Sequence, residues 1–338
     1  MESLNIVFTG KDQVEVRREA VAPVGPQELL IRTHCTLIST GTEGICLGRK
    51  FAPDTSWASW VKYPFYPGYS HVGTILEVGD EVENFKVGQR VASRSNHHQY
   101  VIARQDQAGL IPDDISDESA SWLAFASIVQ GGVRRPKIAM GESVVIIGLG
   151  MLGQLATQYA RVCGAGEIIG VDTAPKRLEM ASAHGATHTL QLPVQDVKDR
   201  VLEITDGLGA DVVFDVTGHA PVFQHAIGLL RRFGRLVILG DTGTPGEQRL
   251  THDVINKNLQ ILGAHDLNAP SESSDFARWS KPEMISVFWK FLHRDQMRVE
   301  DLITHTYSPE DAPAAYEMLQ TQRDEAMGVL FDFRALRT

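Results

Sequence analysis

The segment 143–172 reads as strand, glycine turn, helix and strand. The apolar run SVVIIG leads into Gly148-Leu149-Gly150-Met151-Leu152-Gly153, an amphipathic stretch runs from about Met151 to Val162, and EIIGVD ends on Asp172. A GxGxxG turn placed between an apolar strand and a helix, with an acidic residue closing the next strand, restricts this part of the chain to a parallel βαβ unit. The alternation then continues. HTLQ, ADVVFDV and RLVILG are strand-like runs separated by helical stretches at about 175–184, 194–205 and 221–231, and LQILGA at 259–264 extends the series. Strands that are apolar throughout and separated by helices predict an open doubly wound parallel sheet covered on both faces, an α/β fold.

Each position of the turn has a physical task in such a unit. Gly148 permits the tight turn, Gly150 lets backbone amides approach a pyrophosphate, Gly153 lets helix pack on strand, and the helix N-terminus favours phosphate charge. Met151, Leu152, Arg177 and Thr217 complete the expected contact set. Asp172, 22 residues after Gly150, would accept hydrogen bonds from the adenosine ribose hydroxyls and repel a 2′-phosphate, so NAD is the expected cofactor. Lys176 and Arg177 offer a 2′-phosphate two cations, although a solvated helix face explains them as well. A sheet of this type with an empty site is the bland alternative.

The remainder of the chain has a different texture. Residues 1–115 hold short alternating runs (LNIVF, QVEVRR, ELLIRTH, GTILEVG, HQYVIA) broken by Gly, Pro and Asp, the pattern of a β-barrel or sandwich. DESASWLAFASIVQGGVRRP reads as one buried helix stopped by Pro136, and Ser308-Pro309-Glu310 opens a helix at about 309–320. The 338 residues suffice for two domains. With 32 Lys and Arg against 42 Asp and Glu, the net charge of −10 argues against nucleic acid and anionic lipid as partners. Cys35, Cys46 and Cys163 form neither a disulfide framework nor a CxxC module. The N-terminus lacks a signal-peptide pattern and no apolar run approaches about 18 residues, so a cytoplasmic protein that does not enter membranes is expected.

Five segments in order, PGYSHVGTILEVGDEVENFKVGQRV, GESVVIIGLGMLGQLATQYAR, TDGLGADVVFDVTG, RRFGRLVILG and LITHTYSPEDAPAAYEML, resemble the medium-chain dehydrogenase/reductase family, the alcohol, sorbitol and threonine dehydrogenase group. The resemblance implies a GroES-like β-rich catalytic domain at 1–118 and 275–338, a Rossmann domain at 119–274, an active site in the cleft joining them, and a homodimer or homotetramer. It also implies where metal should bind. Alcohol-oxidising members hold catalytic zinc with a Cys in a GxCGTD-like motif, a His in GHE, and a third ligand near the helix before the Rossmann domain.

Here Ile38-Ser39-Thr40-Gly41-Thr42-Glu43 puts Thr40 at the cysteine, Thr42 at the proton-relay hydroxyl and Glu43 at the aspartate; Gly68-Tyr69-Ser70 puts Tyr69 at the histidine, and Ala124 falls at the third position. Zinc takes thiolate, imidazole and carboxylate ligands, so no metal is expected. A substitute set of His71, His97, His98 and Glu43 is disfavoured because adjacent strand residues face apart.

Without metal, a side chain must take the hydroxyl proton as hydride passes to nicotinamide. Tyr69, His71, His97 or His98, and Glu43 acting through Thr42 are the candidates, with Thr40 beside them. Tyr69 needs its pKa lowered by a nearby cation if it is to act as base, while His71 suits the task if it titrates near neutrality. Trp57, Trp60, Asp266, Asn268 and Arg278 are possible substrate contacts or plain loop residues. The expected reaction is oxidation of a secondary alcohol of a cyclitol, sugar or sugar-derived metabolite to the ketone, or its reverse. An NAD(P)H-dependent quinone or enone reductase, and a non-catalytic NAD-binding protein, are the alternatives.

Overall fold

The computed structural model describes residues 1–265 and 268–336, which divide into two compact units, Met1–Ala124 with Arg298–Thr338 and Phe125–Met297. The sequence reading draws these limits at 118/119 and 274/275. The helix Lys281–His293 lies in the second unit, where the Met284 carbonyl accepts from Gln130 Nε2 at 3.0 Å and Phe291 packs against Tyr159 with ring centroids 6.2 Å apart.

The first unit is β-rich. Glu2–Gly10 and Gln13–Ala20 form an antiparallel hairpin. Glu28–Leu37 is the hub of a seven-stranded sheet, flanked by His71–Val78, by Tyr100–Arg104 and by the late strand Gly328–Asp332, which pairs antiparallel to it. The end of the chain thus closes the sheet begun by its start. Leu29, Ile31, Ile75, Val91 and Val101 fill the interior on one side; Ile6, Phe8, Val329 and Phe331 pack with Tyr316 of the helix Ala312–Thr321 on another.

The second unit carries the expected parallel sheet. Its strand order is His188–Gln191, Glu167–Asp172, Ser143–Ile147, Ala210–Asp215, Leu230–Ile238, Gln260–Gly263, every pairing parallel. The order reverses direction beside Ser143–Ile147, so the crevice outside the strand ends opens next to Gly148.

One expected element is different. The stretch read as a single helix is two, Asp117–Ala120 and Leu123–Arg134. Ser70 Oγ donates to the Ser121 carbonyl and Ser121 Oγ to the Glu118 carbonyl, so two side chains take carbonyls that a continuous helix would use for itself. Among the described residues no helix is long and apolar enough to cross a membrane.

Candidate functional site

In the second unit, Gly148 has φ +89°, a conformation that favours glycine, and an added Cβ would stand 2.9 Å from Thr217 Cγ2. At Gly153 a Cβ would come within 2.1 Å of the Gly148 carbonyl oxygen, so close helix–strand packing requires glycine. Gly150 is the exception: nothing lies within 4 Å of its Cβ position. Two glycines serve the fold, while the third leaves room over the N-terminus of the helix Met151–Val162, the space a pyrophosphate would take.

Asp172 ends its strand beside this turn, 7% exposed, and accepts from the Leu149 N–H at 2.7 Å and the Ala174 N–H at 2.9 Å. Arg177 Nη1 lies 3.8 Å from the same carboxylate. Thr217 is fixed by Asp215, whose Oδ1 accepts both its N–H at 3.1 Å and its hydroxyl at 2.7 Å. Burial pushes the Asp215 carboxyl up despite these bonds. The sequence reading named Thr217 and passed over Asp215, although the run FDVTG places a carboxylate two residues ahead of it.

In the first unit, the turn at Gly68 (φ +97°) packs against the His97 ring, which a Cβ there would meet at 2.9 Å. The next residue, Tyr69, reaches Ser39 Oγ at 2.6 Å and Thr42 Oγ1 at 3.5 Å. Burial raises the Tyr69 hydroxyl above its ordinary value; the Ser39 and Thr42 hydrogen bonds and the Arg94 charge oppose that rise, and Glu43 adds to it. The phenol is therefore a proton-bearing donor, in contrast to the lowered pKa that a base would need.

Glu43, 2% exposed, ties this loop to distant segments. Its Oε1 accepts the Ser39 N–H at 2.7 Å; its Oε2 is 3.1 Å from His97 Nε2 and accepts the Tyr316 hydroxyl. His97 Nδ1 then meets Thr36 Oγ1 at 2.7 Å. Ser39, His97 and Tyr316 belong to this network; of these the sequence points to His97 alone, as a metal ligand or proton carrier.

His71 stands apart from the expected set. Its Nε2 is 2.9 Å from Thr33 Oγ1 and its Nδ1 2.9 Å from Ser93 Oγ, inside the sheet. Burial, with the charges of His34, His98 and His97, pushes it down to about 3, so it does not titrate near neutrality as a proton carrier should. His97 and His98 diverge, the latter lying edge-on to Tyr66. Trp57 is buried, Trp60 is 53% exposed, and Arg278 lies over Trp279 at 4.7 Å; Asp266 is outside the described residues.

Thr40, Tyr69 and Ala124 are a poor donor set for zinc, and among the described residues no group of three or more His, Cys, Asp or Glu is placed to hold a metal. The glycine turn with Asp172 does fit a dinucleotide, through the open space at Gly150.

Two family models match. One, described as an alcohol dehydrogenase GroES-like domain, spans residues 25–111; the other, described as a zinc-binding dehydrogenase, spans 152–281. A sorbitol dehydrogenase of Bacillus subtilis is 34% identical over 211 residues, which is 53% of this chain and 60% of that protein. A D-guloside 3-dehydrogenase of Escherichia coli is 29% identical over 274 residues, 79% of this chain and 78% of the other. The crystal structure of benzyl alcohol dehydrogenase from Acinetobacter calcoaceticus superposes with a TM-score of 0.84 at 18% identity, covering 98% of this chain and 99% of that one, a likeness of fold. The β-rich unit closed by the chain's end, the doubly wound sheet with its glycine turn, and the two matching models lead to one conclusion: the chain belongs to the medium-chain dehydrogenase/reductase superfamily of oxidoreductases.

Proposed function

We propose that this protein is an NAD-dependent dehydrogenase that works without zinc, interconverting a secondary alcohol of a cyclitol, sugar or sugar-derived metabolite and the corresponding ketone. The observation that carries the proposal is a complete dinucleotide turn accompanied by Thr40, Tyr69 and Ala124 where zinc-dependent members have ligands. The sorbitol and D-guloside dehydrogenases named above support a polyhydroxylated substrate class.

Gly148, Gly150, Met151, Leu152 and Gly153 would hold the pyrophosphate, Asp172 with Arg177 beside it the adenosine ribose, and Thr217 the nicotinamide half. When bound, the nicotinamide accepts or returns a hydride. The chain's own part is proton handling. Tyr69, protonated at neutral pH, would donate a hydrogen bond to the substrate oxygen. In ketone reduction its proton would pass to that oxygen as the Ser39 or Thr42 hydroxyl returns one to the phenol and is itself reprotonated from water; in oxidation the alcohol proton would leave by the same hydroxyls in reverse. Thr40 and Thr42 add hydroxyls to the same loop. Glu43 acts at one remove, as the buried anchor of that loop.

The test is to follow NADH formation over a panel of cyclitols, sugars and polyols, and NADPH or NADH consumption with quinones and enones. Turnover with the first panel is expected. Turnover confined to the second would assign the reductase activity instead, and cofactor binding with no turnover on either would leave a non-catalytic member.

A further inference from the structure

Gln154, the residue after the last glycine of the turn, is fully buried and makes an unusual pair of contacts. Its Nε2 donates to the Leu149 carbonyl at 2.9 Å and to the Arg177 carbonyl at 2.8 Å. Leu149 in turn donates its N–H to Asp172 Oδ2, and Arg177 Nη1 returns to the same oxygen at 3.8 Å. A closed polar circuit therefore links the glycine turn, the carboxylate at the end of Glu167–Asp172 and the first turn of the helix Pro175–Ala183. The amide orientation is fixed by its neighbours, since the reverse would set its oxygen against two carbonyls. In the orientation that remains, Oε1 is buried with no hydrogen-bond partner. An apolar side chain of equal length would avoid the cost of that buried unsatisfied oxygen, so the two donated bonds are what the amide contributes.

We propose that Gln154 is a positioning residue for cofactor selection. By clamping the Leu149 and Arg177 carbonyls together it fixes the two segments whose Leu149 N–H and Arg177 guanidinium hold the Asp172 carboxylate, the group the ribose hydroxyls would meet. This arrangement suits a 2′-hydroxyl and disfavours a 2′-phosphate. Loosening it lets the carboxylate turn and the guanidinium swing away, which costs a ribose its acceptor and costs a 2′-phosphate nothing. The inference rests on the dinucleotide reading of the same turn.

The experiment titrates NADH and NADPH by their fluorescence into wild type, Gln154→Met and Thr157→Val. The last is a control that removes another buried helix hydrogen bond, Thr157 Oγ1 to the Gly153 carbonyl at 2.9 Å, outside the circuit. Gln154→Leu replaces Gln154→Met should the latter not fold. Gln154→Met is expected to weaken NADH about tenfold, while NADPH is unchanged and kcat at saturating cofactor holds. Thr157→Val should leave the NADH/NADPH ratio where it was. Equal loss for both nucleotides, or none, overturns the proposal. Wild-type protein that binds neither nucleotide overturns the dinucleotide reading and this inference with it; wild-type selectivity for NADH that survives Gln154→Met overturns the inference alone.

Discussion

Tyr69 shows how a single position changes the chemistry available to a fold. On the proposed reading a phenol stands where zinc-dependent relatives have an imidazole and supplies an oxygen that can donate, and its 2.6 Å contact with Ser39 Oγ orients that donor. Tyr69→Phe keeps the ring and deletes the hydroxyl. It should lower kcat by on the order of 10²-fold, the usual worth of a positioned acid or base, with the dissociation constant for NADH unchanged. Steady-state rates combined with fluorescence titration check this, and a kcat within about threefold of wild type would remove Tyr69 from the proton path. Tyr69, Thr42 and Glu43 were legible in the sequence through the family resemblance, because they occupy the positions of its metal and proton-relay motifs. Ser39 lies in the same ISTGTE run, yet its role depends on a tyrosine 30 residues away, and Tyr316 reaches Glu43 across 273 residues. Partnerships of that length are made by the folded sheet and leave no local pattern.

At the scale of the element, the three glycines of one turn do different work. Gly153 serves packing: a methyl group there meets the Gly148 carbonyl at 2.1 Å, so Gly153→Ala must shift helix against strand and should cost about 1–3 kcal/mol. At Gly150 a methyl group meets nothing, so packing does not require the glycine, and on the proposed reading its place is to leave room for the pyrophosphate. Gly150→Ala should melt close to wild type and still bind NADH at least about tenfold more weakly, since even one methyl in a tight contact displaces the ligand. Melting curves and NADH titrations of both variants separate the two roles; loss of stability in Gly150→Ala with affinity retained would reverse the assignment. The glycine spacing made the turn legible from sequence, but only the packing around each position distinguishes fold from ligand. The broken helix was hidden for the opposite reason. Its apolar periodicity is continuous through Ser121, and the break comes from Ser70, a residue remote in sequence.

For the whole molecule, buried histidines couple folding to pH. His71 takes a proton near 6.5 when unfolded and only near 3 when folded, and His98 is likewise held down to about 4. Between these values the unfolded chain binds more protons, so stability is full above about pH 6.5 and is lost on acidification, with a slope of at most about 1.4 kcal/mol per pH unit for each group. Melting temperatures of wild type and His71→Gln from about pH 7 to pH 5 should show the wild type falling more steeply; parallel slopes would contradict the burial argument.

The architecture of both units was legible because strand and helix periodicities are local, whereas the proposed chemistry of the first unit hinges on the ligand positions that the family resemblance assigns to Thr40, Tyr69 and Ala124. Their consequence is open to one direct measurement: the metal content of purified protein, taken together with NAD-dependent turnover on the preferred polyol before and after exhaustive chelation. The account predicts full turnover with zinc far below one equivalent and no gain on adding zinc. Stoichiometric zinc, activity lost on its removal and regained on its return would contradict it.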